Sequence, residues 1–501
     1  MPVPQRSSYD LIIVGGGVAG CVLAAAARQL PGLSVLLVEA GRDYGPDRAG
    51  WPAGILDARE LPRDDLWNPA APPNEWCGRV LGGSSCVNGC WHTWGSDADY
   101  DEWAELTGSS DLSAAALEKH RSTALERLRV RPVAEEEISA FSAASVTGAQ
   151  RLGYPFVADL AGRTVGAGVG LPPINAVGDQ RVNAAFGYLG DRRDDPGLDI
   201  LAAAVVRRLE FSGGTVTGVQ VSSGGRLRRF SAGAVVLAAG AFGSPAVLMR
   251  SGIGDPARLT ADGVPAVHEL PGVGANLSDH PGLTLRLAAT DRLRAALAEI
   301  EGRGKLYASQ VAVKAASSTC PAGQWDLHLL PTAGAPLFGT PAPGQYEVGI
   351  TGFLMKPLSR GTVRLRDGEP VPDQNYLSDP DGADLQALAD GVELARELAA
   401  APELAALASV VEVPDLTDRT PAGLDRIRTT LGTYWHPVGS CALGPDPERG
   451  AVVDGTGRVH GFDNLLVVDA SVLPSTPRAN TQLSVLAVAS ALAGPLLAGL
   501  R

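Results

Sequence analysis

Two short segments near the end of the 501-residue chain carry side chains suited to handling a proton. One is Thr433-Tyr434-Trp435-His436-Pro437-Val438-Gly439-Ser440; the other is Pro477-Arg478-Ala479-Asn480-Thr481-Gln482. Histidine titrates near neutrality, so His436 suits a general base. Asn480 offers a donor and an acceptor and would orient an alcohol oxygen beside that base. Together they suit removal of a proton from an alcohol. A solitary histidine is more often a core residue satisfied by backbone, so the pair gains meaning only from the elements that position it. His120, His268, His328 and His460 read as surface or structural residues.

Those elements begin at the N-terminus. Tyr9-Asp10-Leu11-Ile12-Ile13-Val14 is a short apolar run of strand type, followed at once by Gly15-Gly16-Gly17-Val18-Ala19-Gly20 and an Ala-rich helical stretch from Cys21 to Leu30. A second strand, Ser34 to Val38, ends in Glu39. Strand, GxGxxG, helix, strand and acid in this order make a dinucleotide-binding βαβ unit. Gly15 permits the tight turn, Gly17 lets a pyrophosphate approach the backbone, and Gly20 packs helix on strand. Free N–H groups at the helix start then face the phosphates. Glu39 is placed to accept hydrogen bonds from an adenosine ribose. The motif does not separate NAD from FAD.

A second glycine-serine loop, Leu81-Gly82-Gly83-Ser84-Ser85-Cys86-Val87-Asn88-Gly89, follows Arg79-Val80. Later come Ala238-Ala239-Gly240-Ala241-Phe242-Gly243-Ser244-Pro245, then Gly272-Val273-Gly274-Ala275-Asn276-Leu277-Ser278-Asp279-His280-Pro281, then Val467-Val468-Asp469-Ala470-Ser471. In order and spacing, with the His436 and Asn480 segments, these resemble the glucose–methanol–choline (GMC) oxidoreductase family of FAD enzymes. The resemblance runs from about Tyr9 to about Leu492 and is weakest over 105–190 and 285–345.

The resemblance implies FAD-dependent oxidation of an alcohol, with hydride transfer to flavin N5 and His436 as base. Gly15, Gly17, Gly20 and Glu39 would bind the ADP half. Arg79, Gly82, Gly83, Ser84, Asn88 and Gly89 belong to the loop under the isoalloxazine, and Val206 would touch adenine. Asp469 and Ala470 would sit by the ribityl chain and pyrophosphate. Asn480 and Thr481 would open a helix whose N-terminus faces the flavin pyrimidine edge and stabilises negative charge there. Some family members tether the flavin through a histidine of the glycine-serine loop. Val87 stands at that position, so the FAD is expected to be non-covalent, a thioether to the neighbouring Cys86 being the lesser alternative. Tyr434 and Trp435 would shape the substrate pocket, and His92 could reach its substrate side. His280 reads as structural. The Trp435-His436 order is similar to that of bacterial oxidases of hydroxymethylfurfural and benzylic alcohols, which leans toward a small aromatic or furanic primary alcohol. A hydroxynitrile lyase that keeps flavin without redox turnover, or a redox-silent flavoprotein, are the competing classes. Oxygen or another acceptor would complete the cycle, and the sequence does not choose.

Hydrophobic residues make up 45% and charged residues 19% of the chain, so a large core is expected. A net charge of −13 repels nucleic-acid phosphates and points to a small-molecule partner. The six cysteines show no disulfide framework. Cys77, Cys86, Cys90 and His92 lack the complete second ligand pair of a zinc site, so no metal is expected. The apolar run from Leu483 to Leu500 reads as a core helix that breaks at Pro495 rather than as a membrane span. With no signal-peptide pattern, the chain reads as soluble and cytoplasmic.

The expected fold is α/β. A Rossmann-like FAD-binding domain (1–104, 195–285 and 434–501) interleaves with an α+β substrate domain on an antiparallel sheet (105–194 and 286–433). Within the latter, 353–365 reads as sheet, 384–398 as helix, and 331–345 as a loop that could border the pocket.

Overall fold

The computed structural model describes residues 6–68, 72, 75–163, 166–190, 192–335 and 344–500. Its first sheet grows from the N-terminal apolar run. Ser8–Val14 pairs in parallel with Val35–Val38 on one side and Arg226–Leu237 on the other, and Leu198–Leu201 extends the row beyond Val35–Val38. Leu465–Val467 joins in parallel along Arg226–Leu237, and Thr215–Ser223 and Ala204–Ser212 continue the sheet as an antiparallel meander. Val35–Val38 is buried at every position, as a parallel strand covered on both faces must be. Helix Val18–Ala27 is covered in turn by the C-terminal helix Thr481–Ala498.

The second sheet is antiparallel. Its order is Ala408–Glu412, Pro281–Ala289, Glu347–Leu354, Leu327–Gly334, Ala312–Ala315 and Gly168–Gly170, with Gly432–Thr433 pairing the start of Pro281–Ala289. Helix Ala383–Ala400 packs on this sheet, and a separate apolar core lies among its strands. A Rossmann-like half and an antiparallel half are thus both present, joined through Pro281–Ala289.

Several local expectations are corrected. Strand Glu347–Leu354 ends before Pro357, and Thr362–Arg366 turns away to pair only with Glu369–Asp373, so 353–365 is not one run of sheet. Leu327–Gly334 stays in the sheet through Pro331, at a point past the end of the neighbouring Ala312–Ala315, where fewer ladder bonds are required of it. Of the loop expected over 331–345, residues 336–343 lie outside the described residues. Helix Ala114–Arg127, placed by the sequence reading with the substrate half, packs instead against Thr481–Ala498 and shares the first core through Leu117 and Ala124.

Thr481–Ala498 is long and apolar enough to cross a membrane by length and composition, yet ten of its residues, among them Leu483, Leu486 and Leu492, are buried inside the protein. It does not break at Pro495. A proline forfeits one helical hydrogen bond, but Leu496 beyond it is buried in the core and Gly499 N donates to the Pro495 carbonyl at 3.2 Å, closing the last turn. Leu486, fully buried against helix Val18–Ala27 and its neighbours, carries much of this packing. Leu486→Ala is expected to destabilise the protein by about 2–5 kcal/mol, read as a lower midpoint in chemical denaturation with an unchanged slope.

Candidate active site

A cavity of 1820 Å³ runs between the glycine loops and the antiparallel sheet. That exceeds the roughly 300–1,000 Å³ of a site for one drug-sized ligand, so it suits an extended cofactor together with a substrate. At one end lie Gly15, Gly17, Glu39 and Val206. Gly15 has φ +104°, and a Cβ there would meet the Ala238 carbonyl oxygen at 2.5 Å. Helix Val18–Ala27 starts from Gly17 without a side-chain cap, so its first N–H groups are open to an anion. Glu39 accepts from Gly16 N at 2.7 Å and Gly41 N at 2.6 Å, which aims its carboxylate at the cavity. Burial pushes its pKa up to about 7 against those two hydrogen bonds.

The second glycine loop meets the first. A Cβ on Gly83 would lie 2.7 Å from Gly17 Cα, so the two backbones touch where a dinucleotide would pass. Arg79, Gly83, Ser84, Asn88 and Gly89 line the cavity, and Asn88 is fixed by a hydrogen bond from its amide to Gln482 Oε1. Gly20 and Gly82 do not line it. Gly20 packs against the Gly15 carbonyl and Gly82 against Cys86, so both act through packing. Val87 faces the cavity, whereas Cys86 is buried with its thiol turned to the Leu81 carbonyl, and burial raises its pKa. Asp469, Ala470 and Thr481 also line the wall. Asp469 takes donors on both oxygens, from Gly240 N and Ser244 Oγ on one and from Ser471 N and Oγ on the other. Its carboxylate is thus held in the cavity wall by four donors.

His436 and Asn480 meet at the far end, Asn480 Nδ2 standing 3.4 Å from His436 Nε2. Thr93 Oγ1 donates to Asn480 Oδ1 at 2.8 Å, which turns the amide nitrogen toward the histidine. Asn480 does not cap the helix that follows, so the first N–H groups of Thr481–Ala498 remain open beside the cavity. Trp435, between Tyr434 and His436, has φ +59°, a left-handed conformation costing a side-chain-bearing residue about 1–3 kcal/mol. Three hydrogen bonds hold it: Tyr434 N to the His280 carbonyl at 3.0 Å, Trp435 N to Thr433 Oγ1 at 2.9 Å, and His436 N to Asp279 Oδ1 at 2.9 Å. Asp279 also accepts from His280 N at 2.7 Å and Thr433 Oγ1 at 2.6 Å.

Hydrogen-bond direction then sets the state of His436. The Pro477 carbonyl can only accept, so His280 Nε2, 3.1 Å away, carries the hydrogen. Neutral His280 thus has a bare Nδ1, which accepts from His436 Nδ1 at 2.9 Å. His436 Nε2 is left as the acceptor, its lone pair facing the Asn480 amide across a long 3.4 Å hydrogen bond. Burial lowers the His280 pKa to about 3 and keeps that residue neutral. Burial, followed by the neighbouring His280 and His328, depresses the His436 pKa well below its ordinary 6.5. An alcohol oxygen placed here would receive a hydrogen bond from Asn480 Nδ2 and give its own proton to His436 Nε2.

Tyr434 and Trp435 line the same end, Tyr434 stacked on Phe353 with ring centroids 4.2 Å apart and planes 16° from parallel. His92 is buried and does not line the cavity, which removes it from the substrate side. Sequence reasoning missed His280, Asp279 and Thr93. The Asp279-His280-Pro281 motif was in view, but its partners lie some 150 or more residues away. Among the described residues, no group of three or more His, Cys, Asp or Glu is arranged to hold a metal ion.

Two family models described as GMC oxidoreductase match the chain, over residues 9–282 and 357–489. The chain is 31% identical over 539 residues to the 5-(hydroxymethyl)furfural oxidase of Methylovorus sp. (strain MP688), covering 98% of each protein. It is 30% identical to the oxygen-dependent choline dehydrogenase 1 of Chromohalobacter salexigens, covering 98% of this chain and 95% of that one. Among solved structures, pyridoxine 4-oxidase from Mesorbium loti superposes with a TM-score of 0.83 at 28% identity, over 97% of this chain and 99% of that one. Because the Gly17–Gly83 contact leaves no room for a methyl group, Gly83→Ala is expected to yield folded protein with little bound flavin, read as a collapsed ratio of 450 nm to 280 nm absorbance.

Proposed function

Because the chain belongs to the GMC oxidoreductase family, whose members are FAD enzymes acting on alcohol groups, we propose that His436 is the general base of alcohol oxidation here and Asn480 the group that holds the alcohol oxygen. The observation that carries this reading is the fixed tautomer of His436, whose Nε2 lone pair faces the cavity beside the Asn480 amide.

Gly15 to Gly17 and the open start of helix Val18–Ala27 would hold the FAD pyrophosphate, with Glu39 at the ribose and Val206 near adenine. The loop from Gly83 to Gly89 and the uncapped start of Thr481–Ala498 would border the isoalloxazine. When bound, FAD supplies the acceptor for the carbinol hydrogen and its electron pair. His436 takes the hydroxyl proton on Nε2 while its Nδ1–H stays on His280. Asn480 keeps the oxygen within reach of that lone pair, and its own orientation is kept by Thr93.

The shape of this end favours an uncharged, planar primary alcohol. Phe353 and Tyr434 form a stacked slab, joined in one apolar cluster by Leu330 and Trp91. On the more distant wall Glu412 sits 3.3 Å from Arg286 and Asp418 is paired with Arg426, while Asp415 accepts hydrogen bonds from Thr417 N and Oγ1. Two of these carboxylates are thus already balanced, and the slab beside His436 is itself uncharged. In an anaerobic panel, 5-(hydroxymethyl)furfural and pyridoxine are expected to bleach the flavin faster than choline by more than about tenfold. Faster bleaching by choline would overturn the substrate class, and no bleaching by any alcohol would favour a redox-silent or lyase-type flavoprotein. Parallel aerobic assays for peroxide and for dye reduction would identify the electron acceptor.

His436→Ala is expected to keep its FAD and lose about 10²–10⁴-fold in the rate of flavin reduction. The pH dependence follows from the depressed pKa. The base must be neutral to accept a proton, and a folded-state pKa below 6.5 leaves it neutral at pH 7 and above. The reduction rate should be level above neutrality and fall only as acid protonates His436, measured by stopped-flow absorbance across pH. A rate that instead rose steadily above pH 8 would contradict the assignment.

A further inference from the structure

The stretch 475–480 carries two groups that the proposed chemistry uses, the Pro477 carbonyl and Asn480, yet it has no regular secondary structure. Side chains must hold it. Helix Asp97–Thr107, capped by Ser96, supplies most of them. The fully buried Asp99 carboxylate accepts from Arg478 N on Oδ2 at 2.9 Å and takes the Arg478 guanidinium on Oδ1. Lys356 brings its ammonium within 3.4 Å of the same Oδ1 and donates to Ser475 Oγ at 2.9 Å. Trp103 Nε1 also donates to Ser475 Oγ, at 3.1 Å, and Tyr100 bonds Ser484 in the following helix at 2.9 Å. Glu102 lies 2.9 Å from Lys356 and offsets its charge. From the sheet side, Lys314 donates to the Trp94 carbonyl at 3.0 Å and faces the Asp99 charge at longer range. One carboxylate therefore gathers the Arg478 and Lys356 cations at the strap, which is also tied by Ala479 N to the Pro477 carbonyl at 2.7 Å, Thr476 Oγ1 to the Met355 carbonyl at 3.2 Å and Asn480 N to Thr93 Oγ1 at 2.9 Å. None of Asp99, Arg478, Lys356, Glu102 or Lys314 lines the cavity.

We propose that Asp99 is a positioning residue for the proton-accepting pair: by clamping both the backbone and the guanidinium of Arg478, it fixes the Pro477 carbonyl against His280 and so determines which nitrogen of His436 stays bare. The inference rests on the reading of His436 as base. If Pro477 moves away, His280 can carry its hydrogen on Nδ1. That nitrogen then meets the His436 Nδ1–H, and His436 relieves the clash by moving its own hydrogen to Nε2, the atom that must accept. Asn at position 99 keeps one acceptor but leaves the buried guanidinium without an anion, which loosens the strap.

The test compares wild-type, Asp99→Asn and His436→Ala holoenzymes. The rate of anaerobic flavin reduction by 5-(hydroxymethyl)furfural is measured per bound flavin, together with the ¹⁵N spectrum of histidine-labelled protein, which reports tautomers without any substrate. Asp99→Asn is expected to keep its FAD and an apparent substrate affinity close to wild type. Its limiting reduction rate should fall by about 10- to 100-fold, and the single His436 tautomer should become a mixture. A merely structural Asp99 would lower yield or melting temperature without moving either readout, and a wild-type rate with a wild-type tautomer pattern would overturn the proposal. Should Asp99→Asn fail to fold, Arg478→Lys, which retains the charge and the backbone N–H but not the guanidinium contact, is expected to shift both readouts in the same direction; unchanged readouts there are equally decisive against it. If His436→Ala reduces as fast as wild type, the base reading falls. If His436→Ala collapses while Asp99→Asn and Arg478→Lys behave as wild type, only the role of Asp99 falls.

Discussion

The hydrogen bond between His280 Nδ1 and His436 Nδ1, 2.9 Å long, is the interaction on which the arrangement of this end of the cavity depends. Its direction is imposed from outside by a carbonyl that can only accept. The Pro477 oxygen holds the hydrogen of His280 at Nε2, His280 must then accept at Nδ1, and His436 is left with its lone pair toward the cavity. Three segments distant in sequence converge to make this happen: the entry to strand Pro281–Ala289, the Tyr434–Pro437 corner, and the strap before the last helix. Asp279 binds the first two together through His280 N and His436 N. Burial raises its pKa to about 6, and the donors around it counter that shift.

The scaffold answers the demands of this constellation. The parallel sheet ends at its glycine turns, where the backbones of Gly17 and Gly83 touch and build a cofactor-sized trough. The antiparallel sheet closes the other side with Phe353 and Leu330. Helix Thr481–Ala498 joins both functions. Its apolar length is held in the core by helices Val18–Ala27 and Ala114–Arg127, while its uncapped N-terminus faces the cavity. An apolar helix of this length in a protein core is stable because packing, not propensity, supplies most helix stability, which is also why Pro495 does not end it.

The strand–glycine–helix order at Tyr9 to Glu39 was legible because each of its signals is local: an apolar run, a turn only glycine tolerates, and an acid at the end of the next strand. His436 and Asn480 were legible as residue types. What they do to each other was not, because the amide is turned by Thr93, 387 residues earlier. His280 read as structural for the same reason. The left-handed backbone at Trp435 is likewise invisible in a Thr-Tyr-Trp-His string, since Asp279, 150 or more residues earlier, and Thr433 help to stabilise it. Gly20 and Gly82, named with the cofactor loops, turned out to pack rather than to line the trough.

By itself, then, the sequence determined the family, the order of the cofactor-binding elements and the identity of the two polar residues, His436 and Asn480, that meet at one end of the cavity. These depend on spacing along the chain, which local sterics and glycine placement translate directly into structure. The tertiary structure alone decided which nitrogen of His436 accepts, that Asp99 binds both the backbone and the guanidinium of Arg478, and that four donors hold the Asp469 carboxylate. Those outcomes depend on the direction and saturation of hydrogen bonds between groups more than 150 residues apart. Direction and saturation are properties of a buried network and cannot be read from any one of its members.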